Sequence, residues 1–334
     1  MPFSWEDLPK PILALAPMAG VTDAAFRQIC RRFGADVIYT EFVSTDAISR
    51  GNAKTLKMMQ FDPSEQPVIC QVFGKDPMMY ASATRVIERM GYAGIDINFG
   101  CPAYKVTRHG GGVTLMRNLD LCRSIVQATC EAAQTIPVSI KIRASVCRQP
   151  GEKKSSLDRV TAVDLIEHIR DLPVAAVMIH GRSYERPFDG EPDLDSICAV
   201  RAAFPRIVLA NGGIYDPETA KSILHHTKAD GVGIARGSWG RPWIFQQIRT
   251  FLETGVVIQP SWEEIKTIIL EHAKLAFRSK GDRGILEMRK HLAWYIKGRA
   301  GASRLRQQFM HVQSIRDVKS LLDQTEDIKT EQSL

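Results

Sequence analysis

The most distinctive chemistry in this chain is a single thiol. Asn98-Phe99-Gly100-Cys101-Pro102 sets a polar residue, a glycine, a cysteine and a proline close together. The apolar, glycine-flanked run before it, Gly91-Tyr92-Ala93-Gly94-Ile95, reads as the approach of a buried strand. Gly100 permits a tight turn and Pro102 fixes φ just past the cysteine, so the thiol is held rigidly at the mouth of that strand. Arg108-His109-Gly110-Gly111-Gly112 follows, a loop with little bulk beside which something large could sit. A free cysteine is often only a small core residue, so Cys101 takes its meaning from its company.

That company stands at the ends of other apolar runs. Gln71 offers an acceptor and a donor to the edge of a flat heterocycle. Lys141 ends an apolar run, where an ammonium is costly to bury alone. It can bond an electron-rich ring, stabilise developing negative charge or form a Schiff base. His180 supplies a donor for a phosphate or a substrate carbonyl. Asn211-Gly212-Gly213 and Ala235-Arg236-Gly237 are loops whose backbone N–H groups can cradle a phosphate, with Arg236 neutralising it. A phosphorylated ligand or cofactor is therefore expected. Pro17-Met18-Ala19-Gly20, Arg143 and Arg182 complete the set.

Strands must position these residues. Apolar runs fall at Ile12–Ala16, Val37–Thr40, Val68–Val72, Gly94–Ile97, Val138–Ile142, Ala176–Ile179, Ile207–Ala210 and Gly231–Ala235. Amphipathic stretches between them read as helices: Asp23–Phe33, Ser44–Arg50, Pro77–Met90, Leu119–Gln134, Leu157–Arg170, Leu194–Phe204, Pro217–His226 and Pro242–Glu253. Eight strand–helix units predict an α/β fold, a TIM (β/α)8 barrel with every chemical residue at a strand's C-terminal end. No Gly-x-Gly-x-x-Gly follows the first strand, against a dinucleotide-binding sheet. Residues 1–10 read as an irregular extension, and Ala144–Ser156, with Arg148, Lys153 and Lys154, as a polar loop overhanging the site. After Pro260 the pattern is helical: Ser261–Ser279, Arg283–Lys297, Ala302–Val312 and Ser314–Asp323. The expected organisation is a catalytic barrel over 1–255 and a small helical domain over 256–334, with Thr325–Leu334 frayed.

Composition narrows the setting. Apolar residues make up 44% of 334, enough for a sizeable core. No apolar run approaches the roughly 20 residues that span a bilayer. Seven cysteines at irregular spacing, without Cys-x-x-Cys, point to a reducing cytoplasm and to no metal site. Formal net charge is +7, and the window Arg278–Arg306, with nine Lys or Arg against Asp282 and Glu287, carries that excess by itself. Such a concentration suits a polyanion, although a solvated helix face would look the same.

Taken together, the pieces resemble the tRNA-dihydrouridine synthases, most closely the bacterial DusB-like branch. The matching elements run from Ala16-Pro17-Met18-Ala19-Gly20-Val21-Thr22-Asp23 through Thr40-Glu41-Phe42-Val43, Gln71-Val72-Phe73-Gly74 and Asp96-Ile97-Asn98-Phe99-Gly100-Cys101-Pro102. They continue with Lys141-Ile142-Arg143, His180-Gly181-Arg182, Asn211-Gly212-Gly213-Ile214, Arg236-Gly237, Gly240-Arg241-Pro242-Trp243, and Met288-Arg289-Lys290-His291 with Trp294-Tyr295. The resemblance covers about residues 11–312. It implies tightly bound FMN, NADPH as hydride donor, and reduction of the C5–C6 bond of a D-loop uridine in tRNA, position 17 for this branch. Pro17, Met18 and Ala19 would line the flavin; Gln71, Lys141 and His180 would meet its ring. Asn211, Gly212, Gly213, Ala235 and Arg236 would hold its phosphate. Asn98, Arg143 and Arg182 would face the substrate, and Cys101 would protonate C5. Arg289, Lys290, Lys297 and Arg299, with Arg304 and Arg306, would meet tRNA phosphates. The family's usual Gly-Arg-Gly is Ala235-Arg236-Gly237 here, an added methyl beside the phosphate. A monomer without an obligate partner is expected. The rivals are an FMN barrel reductase of a small enone or free pyrimidine, resembling dihydroorotate dehydrogenases, and a non-catalytic RNA-binding module.

Overall fold

The computed structural model describes residues 2–108, 110–149, 158–299 and 301–325. Its parallel strands are β1 (Ile12–Leu15), β2 (Val37–Tyr39), β3 (Val68–Phe73), β4 (Gly94–Asn98), β5 (Val138–Arg143), β6 (Val174–His180), β7 (Ile207–Asn211) and β8 (Gly231–Ile234). They lie in the order β2-β1-β8-β7-β6-β5-β4-β3, and β3 pairs back onto β2 at Ile38↔Val68 and Tyr39↔Ile69, closing a barrel. The strands are apolar throughout because both faces are buried. Ile12 and Ala14 fill the interior with Tyr39, Ile69 and Met178, while Leu13 and Leu15 face the helices.

The surrounding helices are α1 (Ala24–Arg32), α2 (Pro77–Arg89), α3 (Leu119–Ala132), α4 (Ala162–His168), α5 (Leu194–Ala203), α6 (Pro217–Thr227) and α7 (Ile244–Thr254). Side-chain caps start most of them: Asp23 accepts from Phe26 N, Asp76 from Met78 N and Asp216 from Thr219 N. Between β2 and β3 two short helices, Thr45–Ser49 and Ala53–Met58, stand where one was expected. Asn52 begins the second by accepting from Thr55 N.

Two expectations change. The N-terminal extension is ordered at Trp5–Asp7, and Trp5 is 2% exposed in the barrel interior, its ring 6.3 Å from that of Tyr39. The polar loop after β5 contains an antiparallel ribbon, Ser145–Cys147 with Arg159–Thr161, because Val146 and Val160 pair and are both buried. That ribbon delays α4 to Ala162. Lys153, Lys154, His109 and the tail 326–334 lie outside the described residues.

Four further helices follow: α8 (Trp262–Lys280), α9 (Asp282–Tyr295), α10 (Ala302–Phe309) and α11 (Ile315–Asp323). Ser261 and Glu264 form a capping box at the start of α8. The apolar faces of these helices share one core with Ala25 and Ile29 of α1 and with Trp243. The helical region is therefore packed onto the barrel wall. Lys280 reinforces the contact, reaching Asp23 at 2.8 Å and Glu287 at 2.7 Å. Trp294 of α9 stacks on Trp239 of the barrel, ring centroids 4.4 Å apart and planes within 8°.

Candidate active site

At the C-terminal ends of the strands lies a cavity of about 580 Å³. Of the residues singled out at strand ends, all but Gly20 and Gly237 line it: Pro17, Met18 and Ala19 after β1, Gln71 on β3, Asn98 and Cys101 at β4. Lys141 and Arg143 come from β5, His180 and Arg182 from β6, Asn211, Gly212 and Gly213 from β7, and Ala235 and Arg236 from β8. Cavity-lining residues that sequence reasoning missed include Phe188, Tyr215 and Trp239. No motif marked them. Phe42, quoted in the Thr40–Val43 match without a role, lines the wall too. A smaller cavity of about 310 Å³ lies among α1, α7 and α8 and touches none of these groups.

A hydrogen-bonded ladder across neighbouring strands runs from the buried Ser139 and Asp96 to Gln71 and Asn98 in the cavity wall. Ser139 Oγ donates to Asp96 Oδ1 at 2.7 Å, and Gln71 Nε2 donates to Asp96 Oδ2 at 2.8 Å. Asn98 Nδ2 donates to Gln71 Oε1 at 3.0 Å. Asn98 Oδ1 in turn accepts from the backbone N–H groups of Gly100 (3.0 Å) and Cys101 (2.8 Å). Opposite the thiol turn, Arg143 Nε donates to Gly100 O at 2.7 Å, and its Nη1 reaches Ser183 O and Pro187 O at 3.3 Å. Arg143 thus clamps the Cys101 turn to the loop after β6. Arg182 braces the same loop through Gly190 O at 2.6 and 2.9 Å.

Lys141 Nζ donates to Asn211 Oδ1 at 3.0 Å, and Asn211 Nδ2 donates to Gly233 O at 2.6 Å. Burial, then the neighbouring Arg143, brings the Lys141 ammonium down from 10.5 to about 8, with Asp96 opposing. Burial also depresses His180, to about 2, helped by Lys141, Arg143, Arg182 and Arg236. The imidazole is neutral at pH 7. Arg182 Nη1 lies 3.2 Å from His180 Nε2. A guanidinium only donates, which assigns the proton to Nδ1. Burial pushes the Cys101 thiol up from its usual value, against Ala103, Arg143 and Lys141. It therefore stays a thiol at neutral pH.

Gly212 has φ +106°, and a Cβ there would lie 2.6 Å from His180 Cδ2, so the imidazole packs where a side chain would stand. Ala235 has φ −107°, which any residue adopts, so its methyl brings no strain in φ. The basic residues of the helical region divide. Lys297, Arg304 and Arg306 are exposed, and Lys290 Nζ comes within 4.0 Å of where a Gly20 Cβ would be. Arg289 donates from Nε and Nη2 to Val312 O at 2.9 and 2.7 Å, while the Arg299 guanidinium lies 4.8 Å from the Trp262 ring centroid. Tyr295 is buried, its hydroxyl 3.1 Å from His272 Nδ1. No helix among the described residues is long and apolar enough to cross a membrane.

Comparison with known proteins follows the same lines. The family model described as dihydrouridine synthase (Dus) matches residues 14–333. The probable tRNA-dihydrouridine synthase 1 of Synechocystis sp. is 36% identical over 312 residues, 92% of this chain and 84% of its own. The tRNA-dihydrouridine synthase B of Pseudomonas aeruginosa is 36% identical over 303 residues, 90% of this chain and 88% of its own. Similar solved structures include morphinone reductase in complex with tetrahydroNAD, with a TM-score of 0.53 at 13% identity, covering 79% of this chain and 93% of that one. Histamine dehydrogenase from Rhizobium sp. 4-9 gives 0.56 at 11%, covering 96% of this chain and 63% of that one. These two support the barrel fold alone. With a family model spanning nearly the whole chain and relatives more than a third identical along most of their length, this chain belongs to the dihydrouridine synthase family.

Proposed function

We propose that this chain reduces the C5–C6 double bond of a D-loop uridine in tRNA to 5,6-dihydrouridine, with FMN bound in the barrel and NADPH as its reductant. The observation that carries the reading is the shared cavity. A neutral thiol, an amide ladder and an ammonium meet a glycine-rich anion cradle within about 580 Å³. Those residues suit FMN. Gly212 and Gly213 turn with positive φ and line the cavity with Arg236, a glycine turn whose backbone N–H groups can meet a phosphate that the guanidinium neutralises. Gln71, Lys141 and Met18 stand where a flat, electron-rich ring can be met by donors and a soft apolar surface.

FMN bound there and reduced by NADPH would supply hydride to C6 of the uracil. Lys141 and the neutral His180 Nδ1–H provide donors around the ring. Asn98, fixed by Gln71, presents its remaining amide hydrogen to the base. Cys101 delivers its proton to C5, where negative charge develops once C6 is reduced. This is the work of the thiol, not the thiolate, and burial preserves the thiol. Arg143 and Arg182 hold the loops that frame the mouth. The exposed cations of the helical region meet tRNA phosphates, and unstacking the uridine into the cavity costs a few kcal/mol, drawn from that binding. The enzyme works in the cytoplasm, as a monomer without an obligate partner, and uridine 17 is its target.

The test is mass-resolved mapping of dihydrouridine in tRNA incubated with wild type or Cys101→Ala. Cys101→Ala is expected to stay yellow and to oxidise NADPH while making no dihydrouridine. Normal product formation by this variant removes Cys101 from the reaction. Turnover of free uridine or orotate in place of tRNA identifies a small-molecule reductase, and a colourless wild type that rejects FMN identifies a binding module.

A further inference from the structure

The ladder behind the cavity wall has a direction, and the direction starts at a residue outside the reacting groups. Asp96 is fully buried in the barrel on β4, between Ser139 of β5 and Gln71 of β3 in the strand register. Burial raises the Asp96 carboxyl to about 6, against the hydrogen bonds from Gln71 and Ser139 and the charge of Lys141, so above that pH it is ionised. An ionised carboxylate only accepts hydrogen bonds. It therefore selects the Nε2 end of the Gln71 amide, 2.8 Å away, and turns Oε1 towards β4. A carbonyl oxygen also only accepts, so Asn98 must meet it with Nδ2, at 3.0 Å. Only then is Asn98 Oδ1 free to accept the backbone N–H groups of Gly100 and Cys101. Reversing either amide alone would set two acceptors or two donors face to face. A neutral apolar residue at 96 would leave Gln71 Nε2 without its acceptor and the ladder held from one end only, by the Gly100 and Cys101 N–H groups.

We propose that Asp96 is a positioning residue: anchored by Ser139, its carboxylate sets the orientation of the Gln71 amide and, through Asn98, the turn that carries Cys101. This rests on the flavin reading above for one of its consequences, the presentation of Gln71 to the ring. The other consequence, the rigidity of the Cys101 turn, does not. Lys141 lies close enough to feel the charge of Asp96, so a plain counter-charge is the competing role. Asparagine separates the two. At position 96 it lacks the charge but still offers Oδ1 to Gln71, with its Nδ2 turned to Ser139 Oγ, which can accept.

Asp96→Ala and Asp96→Asn are compared with wild type by three readings: FMN affinity, the visible circular dichroism of bound flavin, and the peptide-resolved rate of Cys101 alkylation in flavin-free protein. Loss of a hydrogen bond to a charged group predicts a fall in FMN affinity of about ten- to a hundredfold for Asp96→Ala. An altered flavin dichroism and faster Cys101 alkylation should accompany it. Asp96→Asn should remain within about threefold of wild type in all three. Unchanged alkylation in Asp96→Ala, or equal loss in both variants when both are folded, overturns the proposal. If the wild type takes up no FMN, the flavin reading has failed, and the alkylation comparison still decides the role of Asp96. Should Asp96→Ala fail to fold, Asn98→Asp reads the ladder from its other end. It keeps an acceptor for the Gly100 and Cys101 amides but cannot donate to Gln71. It must disturb the flavin dichroism, or for an FMN-free protein the alkylation rate, and wild-type behaviour there overturns the proposal.

Discussion

Lys141 shows how one barrel interior tunes a single side chain. Its buried ammonium lies beside Arg143, donates to Asn211 Oδ1, and has Asp96 as the neighbouring carboxylate that opposes loss of its proton. The protonated form is the one that donates to an electron-rich ring, and the flavin-free protein loses that proton near pH 8. FMN affinity is therefore expected to be level near pH 7 and to fall as the pH rises through about 8. Fluorescence titration of flavin into the apoprotein checks this, and Lys141→Met should bind more weakly at pH 7 and lack that limb. Burial acts on Cys101 in the opposite sense. An ordinary thiol ionises at about 8.5, and burial moves Cys101 above its usual value, so it stays a protonated thiol across the neutral range, the form that the proposed reaction needs.

At the scale of elements, close approaches of backbone decide which residues are tolerated. Gly240 has φ +65°, and a Cβ on it would overlap the main-chain carbonyl of Trp294 on α9. Gly240→Ala should push α9 off the barrel and destabilise the protein by about 1–3 kcal/mol, read as a lower urea midpoint. The same shift would disturb Trp239, whose Nε1 lies 3.1 Å from Met18 Sδ in the cavity wall. A second joint fixes α1: Arg27 Nε meets Glu65 Oε2 at 2.5 Å, with side chains 3% and 0% exposed. Truncating one partner strands the other charge in the core, so Glu65→Ala should cost about 3–5 kcal/mol in urea unfolding.

Across the whole molecule, the helical region joins the barrel through one continuous core around α1 and α8, and its exposed cations extend the basic surface beyond that joint. Binding of tRNA should weaken steeply with salt. Charge reversal at each of Lys297, Arg304 and Arg306 should reduce the slope of log K against log salt by about one. Filter binding across a salt series measures it. Arg289 and Arg299 are set apart by their partners. Arg289 holds the α10–α11 turn through Val312 O, and Arg299 lies over Trp262. Their replacement should lower stability along with affinity, which a parallel urea titration separates from a pure phosphate contact.

The amino-acid sequence alone determined the barrel, because continuous apolar strands alternating with helices have few ways to bury both faces. It also determined which loops reach the cavity, because in such a barrel each strand's C-terminal end faces the same rim. Ala16–Asp23, Asn98–Pro102 and Asn211–Gly213 were legible on that ground. The tertiary structure alone decided what those residues meet. Gln71, Asp96 and Ser139 are neighbours only through the strand register, which local periodicity does not reveal. Nor does a local pattern show that Trp5 packs into the barrel interior, that Trp239 stacks on Trp294, or that Arg289 is tied to Val312. Each of these contacts joins separate elements of the chain, and its chemistry exists only once packing has brought the partners within reach.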